Sequence, residues 1–293
     1  MYELIRLTEN DHYFDCPAKV GLVKIGGNEV CLIDGGSDKD AGKKILRVLN
    51  ENGWNLKVIL VTHSHADHIG GCRFLREKTG CSVYAKGLEN VFTNTPALEP
   101  IGLYGGNPLK ELKNKFLSAP ECAALPLTQD VLPEGMTLID LPGHSFDMTG
   151  FITRDGTAYV ADCVSSAETI AKYGVGYLWD VGASLDTLGR LGTIPAKRFV
   201  PAHAPVCEDI TALAELNERS ILGVIEKILS VCVSPASFED ILKKIFDAYS
   251  LTLSAQQYAL VGSTIRSYLT YLASDGRLVF EFTDNKMLWR SVE

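Results

Sequence analysis

Thr62-His63-Ser64-His65-Ala66-Asp67-His68-Ile69-Gly70-Gly71 decides how this chain is read. The 293 residues contain six histidines, and three of them fall within this stretch. Lys57 to Val61, just before it, is a β-branched apolar run without alternation, the pattern of a strand covered on both faces. His63 and His65 therefore stand at the mouth of a strand. Asp67 and His68 follow as the chain reaches Ile69-Gly70-Gly71, where a helix can begin. A strand-to-helix junction is a rigid base from which ligand-type side chains converge. Imidazole suits zinc and iron, and a carboxylate adds an oxygen ligand that offsets dication charge.

Working outward, Glu29 to Ile33 reads as a strand ending in the turn Asp34-Gly35-Gly36, and Lys39 to Asn50 has helical spacing. Cys81 to Ala85, Thr137 to Leu141, Gly150 to Thr153, Ala158 to Val160 and Phe199 to Pro201 are further strands. Strands interleaved with helices predict a layered α/β core. Residues 93–125 are poor in strand pattern and are expected to be an irregular insertion acting as a lid or binding wall. Beyond Cys207 the pattern turns helical: Ile210 to Val231, Phe238 to Tyr249 and Ser254 to Ala273, followed by a hairpin from Leu278 to Arg290. That order resembles a winged-helix module, so the expected organisation is a domain over 1–206 and a smaller, mostly helical one over 207–293.

The chain carries five separate motifs that together resemble the metallo-β-lactamase-fold superfamily. The quoted stretch is similar to its HxHxDH signature. Ile33-Asp34-Gly35-Gly36 resembles the motif whose aspartate buttresses the metal loop, with Thr62 beside it. Leu141-Pro142-Gly143-His144-Ser145 resembles the source of a further histidine, Val160-Ala161-Asp162-Cys163 that of a bridging aspartate, and Pro201-Ala202-His203-Ala204 that of a final histidine. The resemblance spans about residues 20–207. It implies a four-layer αββα sandwich and two divalent metal ions, zinc first, with iron or manganese as alternatives. By it, His63, His65 and His144 hold one ion, Asp67, His68 and His203 hold the other, and Asp162 bridges them. Asp67 is the expected catalytic residue, orienting a metal-bridging hydroxide and accepting a proton. His12 matches no motif and is read as structural. Cys163, next to Asp162 on a strand, is expected to point away and pack.

Departures from relatives narrow the class. Flavodiiron oxidoreductases of this fold carry glutamate where His65 stands, which disfavours oxygen reduction. Zinc β-lactamases with a cysteine ligand lack the bridging aspartate, so Asp162 makes the chain look more like hydroxyacylglutathione hydrolases, lactonases and metal-dependent nucleases. After His144 the chain reads Ser145-Phe146-Asp147-Met148-Thr149-Gly150, without the Pro-Gly-Ser common in relatives. The resemblance thus implies hydrolysis of a small ester-like substrate, a thioester or lactone. Ribonuclease or phosphodiesterase activity is the alternative, ahead of mononuclear-iron persulfide oxidation and β-lactam cleavage.

Composition agrees with a small-molecule substrate. The formal net charge is −8, which repels phosphate backbones and anionic lipid. The segment from Pro205 onward has eight Lys or Arg against twelve Asp or Glu, not the basic stripe of a nucleic-acid reader. It is expected to serve as a lid, a brace or a homodimer surface. Tyr104, Tyr173, Tyr177, Leu178 and Trp179 are candidates for a partly apolar pocket wall. Eight cysteines lie scattered, several in apolar runs, and fit buried thiols of a cytoplasmic protein. The beginning of the chain carries acid early, and no signal peptide or membrane span is expected.

Overall fold

The computed structural model describes residues 2–292, so the outermost positions of the two expected domains, 1 and 293, lie outside the described residues. The first sheet takes its strands in sequence order: β1 (Glu3–Arg6), β2 (Asp11–Asp15), β3 (Val20–Gly26), β4 (Glu29–Ile33), β5 (Asn55–Leu60), β6 (Ser82–Ala85) and β7 (Leu125–Pro126). Strands β1 to β4 pair antiparallel, whereas β4 to β7 run parallel. Parallel neighbours need a crossover. Here α1 (Lys39–Glu51) joins β4 to β5, and α2 (Ala66–Ile69) with α3 (Cys72–Thr79) joins β5 to β6.

The segment between β6 and β7 departs from the sequence expectation of an irregular insertion. It contains α4 (Gly87–Asn94), α5 (Leu98–Tyr104) and a 3-10 turn at Lys110–Leu112. Pro100 hides the second of these helices from a sequence reading, yet it sits in the first turn, where its missing N–H costs nothing. Gly105, in left-handed conformation, ends it.

The second sheet has the order β11-β10-β9-β8, formed by β8 (Thr137–Asp140), β9 (Thr149–Ile152), β10 (Thr157–Ser165) and β11 (Arg198–His203), with α6 (Ala167–Tyr173) and α7 (Val181–Leu191) between its parallel pair. Three apolar clusters glue the layers. One packs Ile45, Leu49 and Leu75 of the helices on Leu22, Leu32 and Ile59 of the first sheet. A second, with Val23, Cys31, Leu60, Phe151, Tyr159 and Val200, lies between the sheets. The third covers the outer face of the second sheet, where Val160 meets Leu188 and Val224. The result is the αββα sandwich.

After β11 the chain forms α8 (Thr211–Val231), the short β12 (Ala236–Ser237), α9 (Phe238–Ala248), α10 (Ala255–Ser274) and the hairpin β13 (Leu278–Thr283) with β14 (Lys286–Ser291), and β12 pairs with β14. These elements share the third cluster: Ile241, Leu269 and Trp289 belong to the same apolar body as Val160 and Leu188. Residues 207–292 are thus packed on the second sheet. Among the described residues no helix is long and apolar enough to cross a membrane, and the eight cysteines are unpaired.

Candidate metal centre

All five motifs end up at the carboxyl ends of strands or just beyond them, the side of a parallel arrangement where ligands bind. Asp34 follows β4, the His63 loop follows β5, His144 follows β8, Asp162 lies late in β10, and His203 closes β11. The loop after β5 can lie this close to the Asp34 turn because Gly70 and Gly71 have no Cβ. A Cβ there would collide with the carbonyl oxygens of Ser37 and Gly35.

Asp34 is a left-handed non-glycine residue (φ 67°), a strained state that persists only where surroundings over-determine it. Its carboxylate supplies that determination. Oδ1 accepts the Thr62 N–H at 2.8 Å, and Oδ2 accepts Thr62 Oγ at 2.8 Å and His68 Nδ1 at 2.7 Å. His63 Nδ1 in turn donates to Thr62 Oγ at 3.1 Å. His144 Nδ1 donates to the Tyr177 carbonyl (3.1 Å) and His203 Nδ1 to the Pro17 carbonyl (2.9 Å). Carbonyls and carboxylates only accept, so these bonds place the proton on Nδ1 and leave Nε2 as a lone pair.

Those lone pairs converge. His63 Nε2 and His144 Nε2 each lie 3.0 Å from His65 Nδ1, and one imidazole nitrogen cannot donate to both. On the other side, His68 Nε2 stands 3.1 Å from Asp162 Oδ1, and both atoms are buried without a hydrogen-bond partner. His203 Nε2 lies 3.1 Å from Asp162 Oδ2 and 3.3 Å from Asp67 Oδ2. Ligand-type atoms of three overlapping groups, His63–His65–His144, His63–His68–Asp162 and Asp67–His68–His203, lie within 4.8 Å of one another and could hold metal ions. Buried acceptors facing acceptors are costly unless a cation sits between them. The donor set therefore fits divalent cations.

Electrostatics divides the cluster in two. Burial pushes the His63 imidazole well below its ordinary value and brings His144 down to about 4, so both stay neutral. Where no cation intervenes, the Asp162 carboxylate pushes His203 up to about 10, so that a proton on His203 Nε2 takes the place a cation would fill. Burial opposes ionisation of Asp67 and Asp162, but His68 and His203 beside them hold both carboxyls well below the usual carboxylate range. Asp67, whose side chain is 45% exposed, is the member most open to the cavity.

The structure brings together all seven residues of the expected ligand set, with Asp34 and Thr62 behind them. His12 lies elsewhere, buried edge-on to Trp54. Of the candidate wall residues, Tyr173, Tyr177 and Leu178 line the cavity that opens on the cluster. Tyr104 and Trp179 are half-exposed instead, and Trp179 packs on Phe146. Cys163 packs as expected and belongs to none of the three ligand groups, and it also reaches the cavity. Strand β10 bulges at Ala161, which is left-handed (φ 49°). The bulge breaks simple alternation, which lets the side chain touch both the apolar cluster and the cavity. Burial pushes its thiol up.

Two carboxylates escaped the sequence reading. Glu89 is fully buried and ties two loops together. It accepts from Ser64 N (2.8 Å) and Ser64 Oγ (2.7 Å) on one side, and from Ser145 Oγ (2.6 Å) and Asp147 N (3.1 Å) on the other. The available signal was an inverted helix. Glu89 and Thr93, four apart, are the buried residues of α4, while Leu88 and Val91 face out. Glu99, in α5, comes within 3.8 Å of His65 Nε2, and burial, aided by Glu89, pushes its carboxyl up to about 7.

Comparison with known proteins follows the same outline. The chain is 30% identical over 146 residues to a hydroxyacylglutathione hydrolase of Rhodopseudomonas palustris, a match covering 49% of this chain and 45% of the relative. It is 22% identical over 281 residues to an atrochrysone carboxyl ACP thioesterase of Pseudocercospora fijiensis, covering 93% and 74%. The chain spans about half the length of the curated relatives it matches first, 45% and 56%. Among solved structures, a metallo-beta-lactamase family protein from Thermus thermophilus superposes with a TM-score of 0.71 at 18% identity, covering 99% of this chain and 97% of that one. Residues 13–203 match the metallo-beta-lactamase superfamily domain. The chain belongs to the metallo-beta-lactamase superfamily.

Proposed function

We propose that the protein is a metal-dependent hydrolase that cleaves a small thioester, with two divalent cations held by His63, His65 and His144, by Asp67, His68 and His203, and by Asp162 between them. The observation that carries this reading is the convergence of unopposed lone pairs at the mouth of a cavity. Zinc leads as the native metal, and iron or manganese accept the same ligands. When bound, such cations acidify a water and polarise the scissile carbonyl. The names of the relatives, a hydroxyacylglutathione hydrolase and an ACP thioesterase, support a thioester over a lactone.

The chain's own residues supply the rest. Asp34, through His68 and Thr62, and Glu89, through Ser64 and Ser145, keep the imidazoles aimed before substrate arrives. Asp67 faces the cavity as a carboxylate and orients the attacking water. The water oxygen bonds to the carbonyl carbon while Asp67 takes one proton. The C–S bond then breaks with its electron pair going to sulfur, and that proton passes to the thiolate, leaving a carboxylic acid and a thiol.

Residues 1–206 act in this reading as the catalytic domain, and 207–293 close the cavity over it. Gln257, Leu260, Val261 and Thr264 of α10 line that cavity, so this helix face is turned toward the metal cluster's cavity, which supports a covering role for the helix. The test is a substrate panel of thioesters, lactones, β-lactams and single-stranded RNA, given to protein loaded with zinc, manganese or iron. Thioester cleavage lost on chelation is the expected result. RNA degradation with no thioester cleaved would overturn the proposal.

A further inference from the structure

The cavity does not stop at the metal centre. It encloses about 780 Å³ and has His65, Asp67, His144, Asp162 and His203 on one wall. Apolar side chains from the helices line it as well: Ile170 of α6, Ile221 and Val224 of α8, Val261 of α10, and Leu178 from the loop before α7. Ile221, Val224 and Val261 are buried members of the third core cluster and still border the cavity.

Two polar side chains on this wall, Asn217 and Thr264, are committed within the protein, while Ser220 and Gln257 also border the cavity. Asn217 accepts from Ser165 N and donates to the carbonyls of Ser165 and Leu213. Thr264 accepts from Leu178 N and donates to the Leu260 carbonyl. A lining in which apolar side chains predominate selects for apolar groups. Two exposed lysines also line the cavity, Lys172 and Lys115, the latter paired with Asp38 at 3.1 Å.

Thioesters in cells join a polar, usually anionic thiol carrier to an acyl group, and only the acyl group can be wholly apolar. A two- or three-carbon hydroxyacyl group would leave most of this wall facing water. We infer that the cavity between α6, α8 and α10 is an acyl site for an extended apolar chain, with the thiol carrier lying toward Lys115 and Lys172. This assignment rests on the thioester reading above. It makes the C-terminal helices the part of the chain that selects the substrate, and the insertion over 93–125 its outer cover.

The experiment measures kcat/KM of the zinc-loaded full chain for coenzyme A thioesters from acetyl to dodecanoyl, with dodecanoate and butanoate binding measured by calorimetry. Each added methylene should raise kcat/KM about three- to fourfold until the site is full, and dodecanoate should bind more tightly than butanoate. Val224→Trp fills space at the helical wall and should move the preferred length toward shorter chains, lowering the dodecanoyl-to-butanoyl ratio by about tenfold or more. Ile170→Trp, at a half-buried position on the same wall, gives the same readout if the first variant does not fold. Thioester cleavage with no dependence on chain length, or a ratio that neither variant changes, overturns the acyl site and leaves the thioester reading standing. Failure to cleave thioesters of any length overturns both.

Discussion

The metal loop at 62–68 and the roof formed by residues 98–117 with α10 face each other across one cavity and are held by opposite means. The loop is fixed by directional bonds to single buried carboxylates: Asp34 holds Thr62 and His68, and Glu89 holds Ser64. The roof is fixed by apolar contact, with Leu103, Leu112 and Leu117 packed against Ala259 of α10. Directional bonds fix atoms to within tenths of an ångström, as coordination chemistry requires. Apolar packing fixes only volume and tolerates repacking, which suits a wall that adapts to a substrate. Chemistry and selectivity are thus assigned to different forces.

Removing a proposed ligand should have the largest effect. Asp162→Ala is expected to abolish activity and leave fewer than two metal ions per chain, measured by elemental analysis after gel filtration. Activity retained at the wild-type level would break the loop side of the comparison. Leu112→Ala tests the roof. It opens a hole in a fully buried position and should cost roughly 3 kcal/mol in denaturant unfolding, with metal content unchanged. A loss of metal in this variant would show that the two regions are not independent.

Asp34→Ala acts through His68 and Thr62 and should weaken metal binding by about 10- to 100-fold, read by competition with a chelating dye. The smallest effect concerns pH. The Glu99 carboxyl is pushed up to about 7 in the folded chain against an ordinary value of 4.5. Between these values the folded chain binds more protons than the unfolded one, so stability contributed at this site is present below pH 4.5 and falls as pH rises toward 7. Glu99→Gln removes that slope. Chemical unfolding of chelator-treated wild type and variant across pH 4.5 to 7 should show the difference, and parallel curves would contradict it.

What the sequence reveals follows the same division. Metal ligation demands particular residue types at strand ends, so His63 to His68, His144, Asp162 and His203 stand out from their surroundings, and the strands leading into them are apolar runs of unmistakable pattern. Asp34 and Thr62 are legible only beside those motifs. Strand β1 went unread because Glu3–Arg6 is at most partly buried and mixes charged with apolar residues. Glu89 belongs to no spacing motif, and its partners Ser64, Ser145 and Asp147 become neighbours only once two loops meet. The packing role of Cys163 was legible, but its place at the cavity border was not, because a bulge at Ala161 is invisible to an alternation rule. The cavity wall drawn from α6, α8 and α10 has no local pattern at all, since each residue on it also reads as core.

Metal stoichiometry separates a two-cation centre from a single site. The chain should be stripped with a chelator, titrated with zinc in a calorimeter, and analysed for bound metal after desalting. The arrangement of His63, His65, His144, Asp67, His68, His203 and Asp162 predicts two zinc ions per chain, the second lost on Asp162→Ala. Saturation at one ion per chain, or zinc uptake that Asp162→Ala leaves unaltered, would contradict a two-cation centre built on these residues.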